Sequence, residues 1–187
     1  MPAAELLTYA RELHWILEQV AGCLDGLTAR QLNWRPDTHV ANSAYAIATH
    51  VAGSTRVYAL GFGCGQTVTR DRVAELAARG ESAGPPMAAL RQLAADIDGA
   101  LAALPEARLD ERLVPPRELW GSAEPHDVSR RDALVESIRH AALHLGELRL
   151  TRDMALVLAP GLAEWARRRR RTPRRRARAV GRRPGRV

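Results

Sequence analysis

The chain has no lysine, one phenylalanine and two cysteines among its 187 residues. It also lacks any uninterrupted apolar run of the ~18 residues that a membrane-spanning helix needs. Each absence excludes something. With no such run, a membrane span is not expected. Two cysteines, Cys23 and Cys64, cannot build a disulfide framework. The opening Met1-Pro2-Ala3-Ala4-Glu5 has neither the charged region nor the apolar region of a secretory signal, so the cytoplasm is the expected compartment. Hydrophobic residues make up 46% of the chain but aromatics only 4%, the excess being alanine and leucine. Strands favour β-branched and aromatic residues, so this balance favours close-packed helices.

The formal net charge of +7 misleads. Residues 167–187 hold 12 arginines and no acid, which leaves 16 arginines against 21 acidic residues in 1–166, a balance of −5. A mildly acidic domain over 1–166 is therefore followed by a strongly basic tail over 167–187. The tail can be read as a phosphate binder that releases counterions from nucleic acid. It can equally be a disordered, self-repelling extension. Its restriction to Arg, Pro, Ala, Gly, Thr and Val, as a shifted frame in GC-rich DNA would give, favours the second reading.

Helical spacing of Leu6, Leu13, Ile16, Leu17, Val20 and Leu24 predicts a first helix over 4–25, closed by Asp25-Gly26. Thr28 caps a short turn, and Asn42-Ser43 caps a second helix running to about Leu60, before Gly61-Phe62-Gly63-Cys64-Gly65 breaks it. On that helix Ile47, His50, Val51, Ser54, Val57 and Tyr58 share an inward face. A short helix fits 70–79, and a third long one fits 86–104, ended by Pro105. The stretch 105–128, with Pro115, Pro116, Gly121 and Pro125, reads as a long loop of the kind that often covers a site. Ser129 then caps a fourth long helix reaching about Ala159, before Pro160-Gly161. The expected architecture is all-α, a four-helix bundle with long connecting loops and a disordered basic C-terminal tail. Bundles of this kind build metal sites from inward side chains on facing helices.

The candidate site comes from the histidines. His140 and His144 are four apart on the fourth helix, so their side chains lie one above the other and can share a cation. A helical wheel puts both in the middle of a broad apolar face, with Leu143, Leu150, Met154 and Leu158 on one side. Leu134, Ala141, Leu145 and Leu148 lie on the other. A third ligand, His50, from the second helix would complete an open site. Glu136 and Glu147 flank the pair. Each reads either as a carboxylate orienting an imidazole or acting as a base, or as a solvated helix-edge residue. His14 reads as a boundary residue, His39 and His126 as exposed loop residues, and Cys64 as an inert thiol. Trp34, Trp120 and Trp165 read as packing residues that can also line a pocket.

Three segments together resemble the DinB/YfiT-like superfamily of metal-dependent bundle proteins. They are Gln31-Leu32-Asn33-Trp34-Arg35-Pro36, Asn42-Ser43 leading to His50, and His140-Ala141-Ala142-Leu143-His144-Leu145-Gly146-Glu147. The resemblance runs over roughly residues 4–160. It implies a bacterial protein in which His50, His140 and His144 bind a divalent metal, with Zn, Ni or Fe suited to imidazole donors. Family members often carry Gln where this chain has Glu147, a departure that either alters the surroundings of the ligands or adds a carboxylate near the metal. Characterised relatives include mycothiol-dependent maleylpyruvate isomerase and bacillithiol transferases. The implied function is thus a metal-dependent thiol transferase, isomerase or hydrolase, with a small-molecule substrate and a low-molecular-weight thiol as possible co-reactant. A homodimer is compatible with it. The competing reading is a noncatalytic helical module whose arginine-rich tail binds nucleic acid.

Overall fold

The computed structural model describes residues 3–38, 40–120 and 124–159. The expectations for His39, Gly121, the Pro160-Gly161 stop, Trp165 and the 167–187 tail fall outside them. Four long helical segments form the bundle: α1 (Ala4–Leu24), α3 (Ala44–Thr55), α5 (Gly84–Ala103) and α6 (Arg130–Leu158). Two short helices, α2 (Ala29–Leu32) and α4 (Arg72–Ala77), fill the connections. α1 packs against both α5 and α6, while α3 packs against α6 and α5 on the remaining side. No described helix is long and apolar enough to cross a membrane.

The caps fall where the sequence puts them. The Thr28 and Ser129 side chains each complete a reciprocal box, with Gln31 and Asp132 respectively, and Ser43 accepts from the Ala46 amide. These bonds satisfy helix-end amides that have no partner inside the helix. All six residues of the α1 stripe named above are buried, and they meet Leu90, Leu93, Ile97 and Leu101 of α5. Burying each such side chain is worth roughly 1.5–3 kcal/mol, so the core does not need the histidines in order to fold.

Two expectations need correction. α3 does not run as a regular helix to Leu60: from Arg56 to Gly63 the chain widens into a π-helical segment. Gly61 and Gly63 lie inside this segment instead of breaking it, and the turn comes at Gly65, whose φ is +76°. A Cβ on Gly63 would stand 2.7 Å from Leu134 Cδ2, so the glycine permits close approach to α6. Second, the apolar face of α6 is only half buried. Leu134, Ala141, Leu145 and Leu148 are in the core, whereas Leu143, Leu150 and Leu158 are exposed. α1 and α3 cover a narrower arc than the apolar residues span, so the histidines lie at the border of the buried face, not at its middle. The stretch 105–128 is mostly loop as expected, and its described residues carry short elements. Leu113 and its neighbour Arg112 (β1) pair antiparallel with Val128–Ser129 (β2), flanked by tight turns at Glu106–Arg108 and Arg117–Leu119. Arg130 joins this stretch to the π-helical segment, donating to the Glu111 carboxylate at 2.9 Å and to the Gly63 carbonyl at 3.2 Å.

Candidate metal centre

His50 leaves α3 from a position only 4% exposed, and His140 and His144 leave α6 half-buried. Although 90 positions separate His50 from His140, the three imidazoles meet. Ring centroids are 5.4 Å apart for His50–His140, 4.8 Å for His50–His144 and 4.6 Å for His140–His144. One ring nitrogen from each lies within 4.8 Å of the others.

Two carboxylates stand behind the cluster. His50 Nδ1 lies 2.9 Å from Glu75 Oε2, and His144 Nδ1 lies 2.7 Å from Glu147 Oε2. A carboxylate only accepts, so in both contacts Nδ1–H donates, the 3.3 Å approach of Arg70 Nη2 to His50 Nδ1 being the longer contact, and in the neutral ring Nε2 keeps its lone pair. This fixes the tautomer in which Nε2 can serve as a ligand. The bond from His144 holds the Glu147 carboxyl below its ordinary value, with a smaller contribution from the Asn42 side chain just before the α3 cap. Of the two flanking glutamates, Glu147 thus contacts an imidazole. Glu136 is instead held by Arg139, at 2.7 and 2.8 Å.

Glu75 and its partner Arg70 form the part of the site that the sequence reading missed. The two side chains are 10% and 5% exposed, and Arg70 Nη2 donates to Glu75 Oε2 at 2.9 Å. Burial pushes the Glu75 carboxyl up, but the bonds from His50 and Arg70 outweigh it and hold it below its ordinary value. Space for this carboxylate exists because residue 53 is glycine: a Cβ there would collide with Glu75. Local sequence carries no mark of it, since Glu75 reads as one more polar residue on a short helix.

The donor set fits a divalent ion. Ligands ~2.1 Å from one centre stand roughly 3.0–3.4 Å apart, so small rotations of the imidazoles close the cluster. Burial, reinforced by its histidine neighbours, pulls His140 down to about 4, which keeps its ring neutral at physiological pH, the form able to bind a metal. The remaining candidates lie elsewhere. His14 is exposed and contacts Asp98 at 3.3 Å. His126 is exposed and its ring lies tilted against Trp120, with centroids 4.6 Å apart. Burial pushes the Cys64 thiol up to about 11, in keeping with an inert role.

The fold and the cluster define a class, that of helical bundles with three inward histidines on two facing helices. The family model of the DinB superfamily matches residues 12–148, and the chain belongs to that superfamily. It is similar to a solved structure described as a conserved protein from Enterococcus faecalis, at 18% identity and a TM-score of 0.60. That match covers 83% of this chain and 98% of the other, and supports the fold alone. No curated protein matches the chain.

Proposed function

We propose that the protein is a divalent-metal protein in which His50, His140 and His144 hold one ion at an open site. The observation that carries this reading is the meeting of three imidazoles, two of them backed by carboxylates that free Nε2. Zinc, nickel and iron are the ions that suit such donors. When bound, the ion supplies a Lewis acid that polarises a substrate oxygen or lowers the pKa of water or a thiol. The chain's own part is positional. Glu75 and Glu147 orient two of the ligands, and the apolar core keeps α3 and α6 at a fixed separation.

This chemistry suits a transferase, isomerase or hydrolase acting on a small molecule, with a low-molecular-weight thiol as the co-reactant of the transferase form. The cytoplasm is the matching compartment. Metal analysis of protein purified without chelator tests the reading. About one ion per chain is expected in the wild type, as a three-ligand open site holds. His144→Ala should lose most of it while keeping its helical circular dichroism. Wild-type protein that takes up no zinc, nickel or iron would refute the reading.

A further inference from the structure

Across the Tyr58 ring from the histidine cluster, whose imidazoles do not line it, lies a cavity of about 390 Å³ whose walls include Tyr58, Phe62, Trp120, Val128 and Ala133. The π-helical segment supplies two of these rings, and π-helical turns recur at functional sites. Phe62 is the only phenylalanine in the chain, yet it stands here edge-on to Tyr58, with centroids 5.7 Å apart, and 6.0 Å from Trp120. Trp120 is anchored by its indole N–H, which donates to the Pro115 carbonyl at 3.1 Å. On its other side the Tyr58 ring lies 5.7 Å from His140, so this one side chain separates the cavity from the histidine cluster.

The polar groups of the wall are already occupied. Glu136 is paired with Arg139. Asp132 accepts from the Ser129 amide at 3.1 Å, and His126 Nδ1 lies 3.1 Å from the Glu124 carbonyl. An anionic ligand would find no waiting cation, since the one arginine of the wall is paired with Glu136. The Tyr58 hydroxyl is different, since it makes no hydrogen bond to protein among the described residues. The volume is at the small end of the ~300–1,000 Å³ range of ligand pockets, which suits a single ring.

We infer that this cavity seats a neutral aromatic ring of the substrate, whose polar group passes Tyr58 to reach the three histidines. The inference rests on the metal reading and adds the substrate class to it. Tyr58 donates its free hydroxyl to that polar group, while Phe62 and Trp120 exclude water from the ring.

The test uses full-length protein loaded with zinc, its zinc content measured in every variant. Calorimetric titration compares phenylacetohydroxamate with acetohydroxamate, which share a chelating head and differ by the ring. Wild type should bind the aryl compound about tenfold or more tightly, from ring burial and aromatic contact. Trp120→Ala should lose most of that advantage, with zinc content and acetohydroxamate affinity unchanged. Phe62→Leu, which keeps an apolar side chain in the core, should do the same. Equal affinities in zinc-loaded wild type would overturn the aryl seat and leave the metal site standing. An aryl advantage that survives both substitutions would place the ring elsewhere and also overturn it. Wild type that takes up neither zinc nor, in its place, nickel or iron removes the metal reading and this inference with it.

Discussion

Glu75→Gln should damage the protein in two separable ways, because Glu75 serves both Arg70 and His50. Arg70 is only 5% exposed at its side chain, so removing the charge opposite leaves a buried guanidinium uncompensated. Breaking a buried pair from one side costs roughly 3–5 kcal/mol, and glutamine, which keeps the volume and one acceptor, belongs at the lower end. At roughly 2–4 °C per kcal/mol for a chain of this size, the midpoint in chelator should fall by roughly 6–12 °C. The second effect is on the metal. With the carboxylate gone His50 loses the partner that fixes its tautomer, and zinc should bind roughly 10–100-fold more weakly. The double variant Arg70→Met/Glu75→Met separates the two, because an apolar replacement of a buried pair is often neutral. It should regain most of the thermal stability and none of the zinc affinity. Circular dichroism melts with chelator and competition titrations with zinc measure the two quantities independently. A Glu75→Gln midpoint within ~2 °C of wild type, the scale of an ordinary surface substitution, would refute the buried-pair argument.

Other outcomes follow from the same geometry. With Cys23 replaced by serine, alkylation of Cys64 should stay slow through neutral pH and accelerate only towards its value of about 11; fast labelling at pH 8 would place the thiol in a different environment. In metal-free protein, nuclear magnetic resonance should show His140 titrating near 4. Because the unfolded chain takes up that proton from about 6.5, the depressed value lowers metal-free stability as pH falls from 6.5 towards 4, which acid-dependent melts would detect. An ordinary histidine titration at that position would contradict its burial against the other two rings.

Local pattern carried much of this structure, but not its non-local joints. The leucine spacing of α1, the caps at Thr28, Ser43 and Ser129, and the four-residue step from His140 to His144 are all short-range signals, and each has its counterpart in the fold. The inward face of α3 likewise brought His50 to the right side. The apolar face of α6 was drawn too wide, because a wheel shows which residues are apolar and not how much of the helix its neighbours cover. Leu143 and Leu150 are exposed for that reason. Glu75 was invisible because its role depends on α4 folding back onto α3 beside a residue without a side chain. The cavity was hidden in the same way: Trp120 lies more than 50 positions from Phe62, and only the β1–β2 pairing and Arg130 bring the two stretches together.

The π-helical segment begins six residues after His50 and ends with the glycine that follows Phe62. A change in chain length within it therefore acts downstream of His50. Removing one residue between Tyr58 and Phe62 would turn everything beyond it by about 100° around the helix axis, sweeping Phe62 out of the cavity wall. His50 would keep its place on α3. The two halves of the site can thus diverge at different rates: a lineage can remodel what it accommodates by gaining or losing a single codon here, while its three imidazoles stay in register.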